Sequence, residues 1–215
     1  MKTNPRAFFF PALAALLWGV FVFADENSQT ARTIAPFLRI TESARATGMG
    51  GAFTALAEGA EGPLYNPAGM GEVKSSEVSV DYNKWILGGS LGSANVVIPI
   101  GIGGLGAGFF YMDGGAQDKF DAAGGRIIGG FSPSNSRLTG SAAVSFGEDF
   151  PLSIGFNFKY FTESIDTYKL SGSAFDAGLW LNAVKDELLF GLAAQNLGGA
   201  VGGFNLPLNI RFGGA

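Results

Sequence analysis

From residue 75 onward the chain alternates between apolar and polar positions. In 137–146 (RLTGSAAVSF), Leu138, Ala142, Val144 and Phe146 share one parity, and Arg137, Thr139, Ser141 and Ser145 share the other. In 152–161 (LSIGFNFKYF), Leu152, Ile154, Phe156, Phe158 and Tyr160 oppose Ser153, Gly155, Asn157 and Lys159. Farther on, Phe175, Leu179 and Leu181 oppose Asp176, and Leu188, Phe190 and Leu192 oppose Gly191 and Gln195, although Leu189 blurs that run. A period of two with one parity almost wholly apolar is the strand signature, because successive side chains on a strand point to opposite faces. Gly, Asp, Asn and Pro turns divide the runs. Strands are predicted at 76–87, 90–100, 104–113, 126–131, 137–147, 151–166, 169–183, 187–197 and 206–214, with Pro99 and Pro207 at strand ends. The fold class is all-β and antiparallel.

Composition decides what the apolar faces meet. Charged residues make up 15% of the chain, against about 25% in a soluble domain. There are 34 Gly and 20 Phe, and after residue 24 no apolar stretch approaches the ~18 residues of a spanning helix. A secreted β-sandwich needs far more charge on its outer faces. A membrane β-barrel does not, because its apolar face meets lipid and its polar face the lumen. Tyr82, Trp85, Tyr111, Tyr160, Tyr168 and Trp180 fall near predicted strand ends, where an aromatic girdle at headgroup level belongs.

The N-terminus points to export. Lys2 and Arg6 precede an apolar run, Phe8 to Phe23, and Val22 and Ala24 supply the small residues of a cleavage site before Asp25. Residues 1–24 read as a cleaved signal peptide, and export together with the barrel-like pattern points the mature chain to the bacterial outer membrane. The net charge of −4 becomes more negative once Lys2 and Arg6 are removed, so no nucleic-acid partner is expected. There is no Cys and no His, which excludes a disulfide framework, His-based triads and His-ligated metal sites. Glu58 and Glu61 have no nucleophile or metal-ligand spacing beside them. No catalytic residue, metal site or cofactor is predicted, and the chain does not read as an enzyme.

Residues 25–74 lack the alternation. The leader 25–36 is polar, and residues 37–71 read FLRITESARATGMGGAFTALAEGAEGPLYNPAGMG. The elements Ala44-Arg45-Ala46, Gly48-Met49-Gly50-Gly51-Ala52-Phe53, Ala57-Glu58 and Tyr65-Asn66-Pro67-Ala68-Gly69 resemble the FadL/PorV group of outer-membrane barrels. That group takes in long-chain fatty-acid transporters, the PorV and PorQ proteins and uncharacterised relatives. The later stretch GGFSPSNSRLTGSAAVSFG is similar to the PorV-type pattern too, and the resemblance covers 37–215.

The resemblance implies a barrel of about 14 strands with an N-terminal hatch folded into its lumen. On this chain the hatch is 25–74, and Asn66-Pro67-Ala68 is its junction with the first strand of the barrel portion, 75–215. Two activities are implied: uptake of long-chain fatty acids or other hydrophobic small molecules, or a PorV-like non-transporting role beside a secretion or surface-anchoring system.

In physical terms, Gly48, Gly50 and Gly51 let backbone approach a wall closely and adopt positive φ. Asn66, pushed out of the α region by Pro67, closes an Asx-turn, and Gly69 completes the motif. Its reading is structural rather than ligand contact. Phe37, Phe53, Leu64 and Tyr65 are the hatch residues able to line an apolar ligand cavity. Lys159 and Asp176 share the polar parity of neighbouring strands and are expected to pair, although Lys159 is also where a ligand carboxylate would go. The eight or nine predicted strands fall short of the resembling barrels, and Ala215 is not the terminal aromatic with which such barrels finish. The chain is therefore expected to be a truncated or rebuilt relative, with little activity as one outcome. Its expected partners are outer-membrane lipid, a hydrophobic ligand, and itself or another barrel protein at an open sheet edge.

Overall fold

The alternating runs form strands as their parity predicts. The computed structural model describes residues 33–147, 151–184 and 187–215. The predicted signal peptide and the leader up to residue 32 lie outside the described residues. Among the described residues ten strands form: β1 Glu77–Lys84, β2 Ser90–Pro99, β3 Gly103–Asp113, β4 Gln117–Phe120, β5 Arg126–Phe131, β6 Ser134–Phe146, β7 Leu152–Ile165, β8 Tyr168–Val184, β9 Leu188–Leu197 and β10 Asn209–Gly214. Eight of them make one antiparallel sheet in the order β1-β2-β3-β6-β7-β8-β9-β10. Among the described residues β1 pairs with β2 alone and β10 with β9 alone.

Register keeps like with like. Leu138 lies opposite Tyr160 and Ala142 opposite Phe156. Phe158 lies opposite Phe175, with ring centroids 5.4 Å apart. Such cross-strand pairs are the unit of sheet stabilisation.

The predicted strand 126–131 forms but does not join this sheet. As β5 it pairs with β4, a strand absent from the predicted set, in a separate hairpin between β3 and β6. Gly129 (φ 112°) and Gly130 (φ 40°) sit where the β4–β5 register shifts, and in the main sheet β3 pairs directly with β6.

Residues 33–74 cover one face of the sheet. Ile34 N–H donates to Asn205 O at 3.0 Å, tying the segment to the β9–β10 connection. Next come a 3-10 turn, Pro36–Arg39, then α1, Ala44–Gly48, capped by Ser43 Oγ accepting from Ala46 N–H at 3.2 Å. A second short helix, α2, Gly62–Tyr65, runs through Asn66 into a 3-10 turn, Pro67–Met70. Helices this short are not stable alone; packing on the sheet holds them.

The two faces of the sheet differ sharply. The uncovered face exposes Val80 (74%), Phe156 (59%), Phe175 (52%) and Phe212 (61%), with Leu138, Leu192 and Ile210 between them. The covered face buries Arg137, Thr139, Asn157, Lys159, Asp176 and Gln195. This is a soluble sheet turned inside out: apolar side chains outward, charges within. Trp180 departs from the girdle expected of it. It lies on the covered face, 6% exposed, and donates its indole N–H to Ala55 O at 2.8 Å. Its parity follows Asp176 rather than Phe175, and strand parity overrides proximity to a strand end.

Candidate functional site

The covered face holds a network of buried charged and amide groups drawn from five strands and the covering segment. Asp176 on β8 is its centre. Its Oδ2 lies 2.8 Å from Lys159 Nζ on β7, and both side chains are almost fully buried. The same oxygen accepts from Asn157 Nδ2 at 2.8 Å, and Oδ1 accepts from Asn196 N–H at 2.8 Å. Lys159 also donates to Asn196 Oδ1 at 3.0 Å. The ion pair expected between Lys159 and Asp176 is therefore present. A buried charge is tolerable only when paired and hydrogen-bonded, and each of these has several partners.

A bulge in β9 supplies Asn196. Phe175 lies opposite Leu197 but Ala177 lies opposite Ala194, so Gln195 and Asn196 together face Asp176. Asn196 takes φ 61°, and both side chains turn to the covered face. Strict alternation would have sent Asn196 outward.

The covering segment is bonded into this network. Asn157 Nδ2 donates to Pro63 O at 2.7 Å, and Gln195 Nε2 donates to Leu64 O at 3.0 Å. Glu42 meets Arg137 of β6 through two contacts, at 2.7 and 3.1 Å. Arg211 of β10 donates to Gln195 Oε1 at 2.8 Å and lies over the Tyr65 ring, 5.4 Å from its centroid. Burial pushes the Tyr65 phenol up to about 12, so it is neutral at physiological pH.

The Asn-Pro-Ala-Gly motif seats the segment on the sheet. Asn66 Nδ2 donates to Thr54 O at 3.3 Å and to Leu179 O of β8 at 2.9 Å, and its Oδ1 accepts from Ala68 N–H at 3.2 Å. Beneath it the sheet is bare backbone. A Cβ on Gly155 would come within 2.2 Å of Ala68 N, and one on Gly178 within 2.1 Å of Asn66 Oδ1. The close approach expected at Gly48, Gly50 and Gly51 is thus found elsewhere. Gly50 and Gly51 do take positive φ, 63° and 82°, but a Cβ at any of the three would meet nothing within 4 Å. They shape an outer turn after α1. The wall contact belongs to Gly69's neighbours in the motif and to the sheet glycines.

The residues proposed to line a ligand cavity separate into two groups. Phe37 stacks on Phe110 (6.0 Å) and meets Phe161 edge-on (6.1 Å) in an apolar cluster with Leu91 and Leu206. Phe53 packs edge-on against Tyr65 at 5.2 Å, with Ala46 and Ala57 around it. Neither ring lines the internal cavity. Leu64, Tyr65 and Lys159 do line it, with Glu42, Arg137 and Arg211. The cavity measures about 10 Å³, room for about one water molecule.

On the uncovered face, Ile154, Phe156, Ala177, Leu179, Leu192 and Ala194 bound a shallow apolar groove of about 250 Å³.

Glu42 and Arg211 were not singled out from sequence. The available signal was one acid among the several charged residues of 33–74 and a lone Arg on the polar parity of a strand. Neither specifies its partner. No family model and no curated protein matches this chain.

Proposed function

We propose that this chain is a lipid-embedded wall of an outer-membrane β-barrel of the FadL/PorV type, with 33–74 as the plug on its inner face. Its activity in this reading is uptake of long-chain fatty acids or other hydrophobic small molecules, admitted when the plug shifts. The supporting observation is the inside-out sheet: outward Val80, Phe156 and Phe212 are more than half exposed while Lys159 and Asp176 are buried. In water such a face is a severe aggregation liability; in hydrocarbon it is the favourable surface. The test is reconstitution of the purified protein into liposomes with a fluorescent fatty acid outside. Uptake above protein-free liposomes is expected, and none would end the transport reading.

A second reading, a non-transporting partner of a secretion or surface-anchoring system, is favoured by one observation. The cavity lined by Leu64, Tyr65 and Lys159 measures about 10 Å³ and admits no acyl chain. This reading requires a stoichiometric protein partner, recoverable by pull-down from outer membranes, and liposomes that take up nothing.

A further inference from the structure

The two ends of the main sheet are built differently. At one end the strands are joined through 100–102, 147–151 and 185–187, and outward apolar side chains continue to the strand ends, where Phe146, Leu152, Val184 and Leu188 are all exposed. At the other end lie the longer connections 85–89, 114–133 and 198–208, together with the turn 166–167. There the strands outrun the apolar face. On the outward parity, beyond Leu138 on β6 comes Ser136, beyond Tyr160 on β7 comes Thr162, and beyond Phe175 on β8 comes Ser173. The same end carries the β4–β5 hairpin, which Lys119 ties to the 166–167 turn through Asp166.

The upper edge of the apolar face is also slanted. Tyr111 marks it on β3, Leu138 on β6, Tyr160 on β7 and Phe175 on β8. Followed through the register, the row of Phe175 passes Phe158 and Gly140 and reaches β3 at Ala107, four residues short of Tyr111. The edge therefore slides four residues across the three spacings between β8 and β3. Hydrogen-bonded rows run perpendicular to the strands, so a flat hydrocarbon boundary cuts them obliquely when the strands are tilted. A tilt of ~35–45° with strands ~4.8 Å apart shifts that boundary by about one residue per strand. Two of the four edge residues are tyrosines, the residue type suited to headgroup level.

This inference rests on the lipid-embedded reading above. Bacterial outer-membrane barrels have short periplasmic turns and longer extracellular loops. We infer that the chain crosses the membrane with the β4–β5 hairpin, the 166–167 turn and the polar ends of β6, β7 and β8 outside the cell. The lipid boundary on that side runs along Tyr111, Leu138, Tyr160 and Phe175. The short connections 100–102, 147–151 and 185–187 face the periplasm.

The chain has no Cys, so single introduced thiols report cleanly. Four full-length variants are compared: Ala122→Cys in the hairpin, Ser171→Cys beyond the edge on β8, Glu187→Cys at the opposite end and Phe156→Cys within the apolar face, all at exposed positions. Intact cells, cells with a permeabilised outer membrane, and detergent extracts are treated with a membrane-impermeant biotin maleimide. Ala122→Cys and Ser171→Cys are expected to react in intact cells, Glu187→Cys only after permeabilisation, and Phe156→Cys only in detergent, where all four react. Reaction of Glu187→Cys in intact cells, or of Ala122→Cys or Ser171→Cys only after permeabilisation, with Phe156→Cys still protected, overturns the orientation and leaves the lipid-embedded wall standing. Phe156→Cys reacting as fast as Ala122→Cys without detergent overturns both.

Discussion

Arg137 on β6 grips Glu42 of the covering segment through paired contacts of 2.7 and 3.1 Å, with both side chains about 95% buried. This is the one fully buried ion pair between segment and sheet among the described residues. It acts as a rivet, because removing one partner strands the other charge away from water.

Glu42→Gln should therefore loosen the segment while leaving the strands paired. Breaking a buried pair costs ~3–5 kcal/mol. The expected outcome is faster protease cleavage within 33–74, with heat-modifiable gel migration retained. Unchanged cleavage would show that the backbone bonds at Leu64 and Asn66 hold the segment by themselves.

Lys159 and Asp176 should show strong non-additivity. Lys159→Met alone leaves Asp176 buried and is expected to cost ~3–5 kcal/mol in urea unfolding from vesicles, whereas Lys159→Met with Asp176→Leu should recover most of that loss. Additive losses would mean that the hydrogen bonds from Asn157 and Asn196 matter more than the charge pair.

The glycines beneath the Asn-Pro-Ala-Gly turn offer a steric contrast. Gly155→Ala drives a methyl to within 2.2 Å of Ala68 N, whereas Gly140 has nothing within 4 Å of its added Cβ. Overpacking costs ~1–3 kcal/mol, so Gly155→Ala should lower the thermal midpoint and Gly140→Ala should leave it nearly unchanged.

The uncovered face tests the surrounding medium. Phe156→Arg should destabilise by ~2–4 kcal/mol if that position lies near the bilayer midplane. In a water-exposed sheet the same change raises solubility at little cost. Unfolding titrations in vesicles separate the two results by the size of the destabilisation.

Tyr65 predicts an alkaline limit. Its folded pKa of about 12 lies above the ordinary 10.0, so the contribution it makes is complete below pH 10 and is lost as pH rises toward 12. Titrating tyrosinate absorbance should reveal a late component that Tyr65→Phe removes. The variant should also lose less stability than the parent between pH 10 and 12.

Strand positions and facing were legible in the chain because period two is a local property, set by backbone geometry at each residue. Leu138, Phe156, Phe158 and Phe175 went to one face and Arg137, Lys159 and Asp176 to the other, as their parity required. The pairing of Lys159 with Asp176 was legible for the same reason. Three features depended on tertiary structure. The bulge that turns Asn196 inward is a register shift against β8, and nothing local marks it. Parity put Trp180 on the inner face, but the acceptor of its indole N–H there, Ala55 O, lies far away in sequence and only packing supplies it. The seating of the 67–70 turn on Gly155 and Gly178 depends on the absence of side chains in strands that alternation alone treats as interchangeable. Parity assigns each residue a face; which backbone comes within 3 Å of that face is decided only when distant segments pack.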